Sequence, residues 1–265
     1  MTITEHKAEL EAYTGQTTCP SDFQEFWQTR WNQSAPTEIK RESIPFKNDA
    51  AVYELLSIRT ADGSIVRART IHPAGKGPYP TVLMFHDQGR GIRGWHHMTR
   101  FIAPGYAVIA LDNTVALPLD AVVLEQSYMA AFTVAQAVKV LPYFDAKQLT
   151  VWGEGFGGGL AIVAAAMLPS DLRCAVLNPM PADSCEWLSE ESKKVWEYYD
   201  LVCFASLLKG PLLMGTALMD KISAPNCQYA IYNRATCPKS HFIYPKYEHE
   251  RINFFENELL KFLCH

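Results

Sequence analysis

The sequence predicts an α/β fold: a mostly parallel central sheet with helices on both faces and an antiparallel hairpin at its N-terminal side. Three observations carry that reading. Six short apolar runs, "TVLMFH" (81–86), "YAVIAL" (106–111), "LTVWG" (149–153), "CAVLN" (174–178), "PLLMG" (211–215) and "HFIYP" (241–245), lack the alternation of a half-exposed strand, as expected where both faces are covered. The stretches between them are able to hold helices, most clearly "LDAVVLEQSYMAAFTVAQAVKVL" (119–141), where apolar residues recur at three and four. Ahead of this rhythm, "VYELLSIRT" (52–60) and "SIVRARTIH" (64–72) flank the turn signal "ADG", which is how a β-hairpin is written.

The elements then fall in order. Residues 20–32, "PSDFQEFWQTRWN", place Phe23, Phe26, Trp27 and Trp31 at helical spacing behind a Ser/Asp cap. We read residues 1–45 as a helical segment packed on the main body, and 1–265 as one domain, since α/β folds of this length commonly form one. The formal net charge of −4 and the lack of any basic run argue against nucleic acid or an anionic membrane surface as partner. The opening "MTITEHKAELEAY" is polar and acidic, unlike a signal peptide, and no apolar run approaches a membrane span. The seven cysteines are odd in number, scattered and without a C-x-x-C pair, so reduced thiols in a cytoplasmic protein are expected.

One stretch governs the functional reading. "LTVWGEGFGGGLAIVAAAML" (149–168) runs from a strand through a glycine-dense turn into a small-residue helix. In an α/β-hydrolase this strand–turn–helix carries a G-x-S-x-G pentapeptide that lifts a nucleophile out of the sheet. Here the pentapeptide is Gly153-Glu154-Gly155-Phe156-Gly157, with Gly155 at the nucleophile position. A glycine cluster alone also fits a generic βα turn. The downstream residues decide: Asp220 follows the fifth parallel strand and His249 the sixth, in the order nucleophile, acid, base that this fold uses.

With "SDFQEFW", "GEGFGGGLAIVAAA", "GTALMDKISAPNCQYAIYN" and "YPKYEHE" on the page, the chain resembles the acetyl xylan esterase / cephalosporin C deacetylase family (carbohydrate esterase family seven). The resemblance implies an α/β-hydrolase fold, deacetylation of small acetylated sugars, and Asp220 and His249 as acid and base. Three departures fall on the chemistry. The family's Ser-Gln at the elbow is Gly155-Phe156; its tyrosine-containing oxyanion loop corresponds to "HDQGRG", with Gln88 in the tyrosine's place; and its Arg-Gly-Gln is absent, because Asp112 is followed by "NTVALP". The backbone amides of Gln88 and Phe156 remain as candidate oxyanion-hole donors, since that pocket is mainly a backbone feature.

Glycine at position 155 keeps the turn, relieves about 1–3 kcal/mol of backbone strain and deletes the nucleophile. Ser184 and Cys185, after the fourth parallel strand, are candidates for a displaced nucleophile, and water activated by His249 is another route. Glu154 is adjacent, but in an elbow its side chain points away. His96 and His97 are neighbours on a predicted helix, their side chains about 100° apart, with no ligand one turn on. No metal and no cofactor are expected. Three functional readings stand: a catalytically degenerate family member whose cleft binds an acylated sugar or small ester, an active ester hydrolase using water or a displaced nucleophile, and a structural or interaction protein with a closed cleft. The resemblance also implies ring-like oligomers built partly through an extension of the N-terminal hairpin; the short "ADG" turn argues against inheriting that assembly, and a homo-oligomer stays open.

Overall fold

In the computed structural model, residues 3–46, 49–88, 94–112, 119–169, 172–183 and 189–264 are described. Among them, nine strands form one mixed sheet: β1 (Pro36–Ser43), β2 (Ala51–Thr60), β3 (Ile65–Pro73), β4 (Tyr79–Phe85), β5 (Ala107–Leu111), β6 (Phe144–Glu154), β7 (Arg173–Leu177), β8 (Leu212–Ala217) and β9 (Lys239–Tyr244). The spatial order is β1-β2-β3-β5-β4-β6-β7-β8-β9. Strands β4 to β9 are mutually parallel, and the β2–β3 hairpin joins antiparallel through β3 against β5. The six apolar runs are these six parallel strands, and the α/β-hydrolase-like architecture is the one the sequence predicts.

The continuity of those runs has a direct cause. Val82 and Met84 of β4 point into one core while Leu83 and Phe85 point into the other, and β5 divides Val108 and Ala110 from Ala107, Ile109 and Leu111 in the same way. With both faces buried, side chains alternate between two apolar environments, so no polar position interrupts the strand. One face is covered by α2 (Phe23–Gln33), α4 (Ala121–Ala137), α5 (Phe156–Ala166) and α7 (Leu201–Ala205), with α1 (Ile3–Ala12) and α8 (Pro225–Arg234) beside them. The other is covered by α3 (His96–Thr99) and α9 (Asn253–Cys264). A further helix, α6 (Glu190–Trp196), precedes α7.

Three expectations need correction. Residues 36–43 are not part of a helical segment: they form β1, paired antiparallel with β2. Most of its residues are exposed, and its sequence "PTEIKRES" has no apolar face for periodicity to reveal. Asp22 precedes α2 but makes no capping bond; its carboxylate accepts instead from the Tyr198 hydroxyl at 2.6 Å. The cysteines are not all reduced, because Cys19 and Cys203 form a disulfide across 184 positions. Nothing in local spacing foreshadows a pair that only the tertiary fold brings together.

The disulfide belongs to a strap, the segment between α1 and α2, that is fastened to α7 and to the loop after β7. The backbone N–H groups of Gln16 and Thr17 donate to Asp183, the Thr17 hydroxyl donates to Asp200 at 2.6 Å, and the Asp183 N–H donates to Asp200. Both carboxylates are buried, so these bonds replace the water they have lost. Beside the strap, Trp27 of α2 is fully buried against Tyr128, Phe132 and Phe204, and its indole N–H donates to the Tyr198 carbonyl at 2.7 Å. Replacing so large a buried ring leaves a cavity and an unpaired carbonyl. Trp27→Ala is expected to lower the unfolding free energy by about 3–5 kcal/mol in urea titrations; a loss below about 1 kcal/mol would mean that α2 does not depend on this contact.

Candidate active site

The carboxyl ends of β4, β6, β8 and β9 deliver four groups to one place, as expected of a parallel sheet, where loops follow the strand ends on one side. The β6–α5 turn is the sharpest. Gly155 has φ 55° and ψ −126°, a backbone region that side chains enter at a cost, and α5 starts at the next residue. Its N–H donates to the Leu177 carbonyl at 2.9 Å. A Cβ on Gly157 would lie 2.4 Å from the His86 carbonyl oxygen, so only glycine lets α5 come this close to the end of β4.

Asp220 follows β8 and is buried. One carboxylate oxygen accepts from the backbone N–H groups of Ile222 and Ser223, each at 2.8 Å, and the other accepts from the Gln228 amide at 3.3 Å. That second oxygen also accepts from His249 Nδ1 at 2.7 Å. The two loops are joined by backbone as well: the Leu218 N–H donates to the Tyr244 carbonyl and the Met219 N–H to the Tyr247 carbonyl. The expected Asp220–His249 pair is thus held by bonds on both sides.

Beyond the imidazole lies a residue the sequence reading passed over. Asp87, buried at the end of β4, faces His249 Nε2 with its Oδ2 at 3.4 Å. Its Oδ1 accepts from the Gln88 N–H at 2.8 Å and from the Phe156 N–H at 2.9 Å. Gln88 and Phe156, expected to converge as oxyanion donors, do converge, and the oxygen they hold is Asp87's own. A Cβ built on Gly155 would fall 2.0 Å from that Oδ1. The carboxylate therefore fills the space that a side chain at 155 would need. A signal was available, since a carboxylate next in sequence to Gln88 is one bond from a predicted anion pocket.

Electrostatics suit this arrangement. Phe156 opens α5, so its N–H lies at the positive end of the helix dipole, where an anion is favoured. Burial disfavours the charged form of His249, but hydrogen bonds to Asp220 and Asp87, reinforced by their charges, outweigh it and raise its pKa to about 9. The imidazole thus lies between the carboxyl groups of Asp220 and Asp87, which are further met by four backbone N–H groups. The Gln88 side-chain Nε2 is buried with no hydrogen-bond partner among the described residues.

The other residues singled out from sequence are not part of this cluster. His97 is buried on α3 and its Nδ1 takes a hydrogen bond from Arg251 at 2.6 Å, with the His96 ring packed on it. Asp112 at the end of β5 pairs with Arg69 at 3.4 Å. Ser184 and Cys185 lie outside the described residues, as does the segment after Asp112.

The sequence profile of the acetyl xylan esterase (AXE1) family matches residues 1–114 and 182–265. The chain belongs to this family. The matched segments leave out 115–181, the stretch that holds α4, β6, Gly155 and α5. Among characterised proteins, acetyl esterase Axe7A of Xylanibacter ruminicola is 23% identical over 87% of this chain, which spans 63% of that relative's length. Acetyl xylan esterase 1 from Thermoanaerobacterium sp. JW/SL YS485 superposes with a TM-score of 0.88 at 23% identity, covering 99% of this chain and 98% of its own. The acetyl xylan esterase from Paenibacillus sp. R4 does so with 0.86 at 20% identity, covering 100% and 99%. The family's fold is therefore kept from end to end.

The raised pKa of His249 sets a pH dependence. A group whose pKa is higher folded than unfolded adds stability that is complete below its unfolded value and lost as pH rises through the folded one. For His249 the window runs from 6.5 to about 9, and the contribution is on the order of a few kcal/mol. Unfolding free energy is expected to fall across that window and to stay level in His249→Gln. Parallel curves for the two proteins would rule out an imidazolium held by Asp87 and Asp220.

Proposed function

We propose that this acetyl xylan esterase family member does not hydrolyse acetyl esters through a serine acyl-enzyme, and that Asp87, His249 and Asp220 form a reorganised hydrolase site in its place. One observation carries the reading: the Oδ1 of Asp87 sits 2.0 Å from where a Cβ at residue 155 would be. Two losses follow for acyl transfer. Gly155 offers no Oγ to attack an ester carbonyl, and the Gln88 and Phe156 amides that would stabilise the tetrahedral oxyanion are already bonded to a carboxylate. A neutral ester oxygen would have to displace an anion from that pocket. What is kept supports a hydrolase-type site over a purely structural role, because His249 and Asp220 retain the bonding of a base and its orienting acid.

The reading also explains why one substitution is not enough to reverse it. Serine at 155 alone would have to force the Asp87 carboxylate out of its place, and that carboxylate would still compete with an ester oxygen for the oxyanion donors. Removing the carboxylate as well frees both the space and the donors. The expected outcome is that the parent protein and Gly155→Ser are inert toward p-nitrophenyl acetate, whereas Asp87→Gly combined with Gly155→Ser hydrolyses it in a burst and is labelled at residue 155 by a phosphonate probe. Removing one oxyanion donor costs about 10²- to 10³-fold in related chemistry, so blocking both is expected to cost the single variant at least that much relative to the double one. Acetate turnover by the parent that survives Asp87→Asn, or a double variant that folds and stays inert to ester and probe, would sink the proposal.

A further inference from the structure

We propose that Gln228 is a positioning residue of the candidate site: from α8 it donates to the Asp220 oxygen that His249 also uses, and so limits how much of that oxygen's charge reaches the imidazole. The inference rests on the reading of Asp220 and His249 as an orienting acid and its base, and adds a third member to that pair. Its basis is the number of donors on one atom. Asp220 Oδ2 accepts from His249 Nδ1 at 2.7 Å and from Gln228 Nε2 at 3.3 Å. Oδ1 takes the Ile222 and Ser223 N–H groups, each at 2.8 Å.

The orientation of the Gln228 amide is fixed by what surrounds it. Nε2 also donates to the Ser223 carbonyl, at 2.6 Å. Both neighbours are acceptors, so the nitrogen must face them. Oε1 then points elsewhere, buried without a hydrogen-bond partner among the described residues, in a side chain that is itself fully buried. An unpaired buried oxygen costs stability, so packing alone would favour an apolar side chain of this length. A brace for the turn is not a sufficient reason either. Asp220 is already held by two backbone N–H groups, and the Ser223 hydroxyl ties the turn to the loop after β7 by donating to the Pro179 carbonyl at 2.7 Å. Among the described residues, what Gln228 adds is a second donor on Oδ2.

That donor has a chemical effect of definite sign. Nδ1 of His249 faces an oxygen that accepts, so Nδ1 carries a proton and the proton that comes and goes sits on Nε2. The more charge Oδ2 offers to the Nδ1–H, the more firmly the ring holds its second proton. A competing donor on Oδ2 takes part of that charge. Among the described residues, the charged groups that act on the imidazole are Asp220, after β8, and Asp87, after β4, and Gln228 works through the first. Its removal therefore makes His249 a stronger base. An amide with a merely structural role gives the opposite sign: its loss would let Oδ2 drift from Nδ1, and the ring would give up its proton more easily.

The test is proton and nitrogen NMR on the full chain. In Gln228→Met, which keeps the length and loses the donor, the Nδ1–H resonance of His249 is expected further downfield than in the parent, and the imidazole is expected to titrate at higher pH. Every group around His249 other than residue 228 is the same in the two proteins, so the difference reads Gln228 alone. The parent supplies a measurement that depends on no variant: a nuclear Overhauser effect is expected between the Gln228 amide protons and the His249 Nδ1 proton, which share one acceptor. Titration at the same or a lower pH in Gln228→Met, or no such effect in the parent with both resonances observed, would overturn the inference. Neither result touches the earlier reading, which stands or falls on acetate-ester turnover by the parent.

Discussion

Two backbone amides and one carboxylate oxygen are the interaction on which the site turns. The N–H groups of Gln88 and Phe156 belong to the loop after β4 and the first residue of α5, and Oδ1 of Asp87 joins them. This ties the loop after β4 to the start of α5 by hydrogen bonds, beyond the ladder that already pairs β4 with β6. It also keeps a charge in a buried place. A carboxylate there is tolerable because it takes two charge-assisted hydrogen bonds, a helix dipole and a facing imidazolium, each of which offsets part of the lost hydration.

The same interaction links layers of the fold far apart in sequence. α5 is buried along nearly its whole length, between the sheet and α4 and α7, so its N-terminus cannot drift. The loop behind it is fixed as well: the Met180 N–H donates to the Gly155 carbonyl, and Asp183, three residues on, is bonded to the N-terminal strap. Through that chain of bonds the Cys19–Cys203 disulfide and the buried Asp200 bear on the turn at Gly155 without touching it. A site assembled from four strand ends needs such support, because small displacements change hydrogen-bond lengths by amounts that chemistry feels.

The sheet was legible because burial on both faces writes itself as unbroken apolar runs; β1 was not, because an exposed edge strand carries no such mark. Asp220 and His249 were legible from their order and their places after strands. Gln88 and Phe156 were legible as donors, since a backbone amide needs no particular side chain. Asp87 and Gln228 were missed for different reasons. Gln228 acts from α8, eight residues beyond Asp220, and only the turn at Ser223 folds it back. Asp87 stood in a quoted motif, but its meaning depends on the length of its side chain spanning from β4 to α5, which sequence spacing does not encode. The cysteine reading failed similarly, since pairing depends on which helix the strap meets.

The steric exclusion between a side chain at 155 and the carboxylate at 87 has a consequence for how such a chain arises. The two positions are coupled: serine at 155 and aspartate at 87 compete for one volume, so a lineage carrying both holds a clash in its most confined turn. The order of changes is then constrained. A glycine at 155 leaves room beside two amides for the carboxylate, whereas a side chain at 155 obliges an aspartate at 87 to turn away from them and lose those hydrogen bonds. Such a history leaves a trace that a comparison of many sequences would read as one-way dependence: aspartate at 87 accompanied by glycine at 155, and glycine at 155 sometimes without the aspartate.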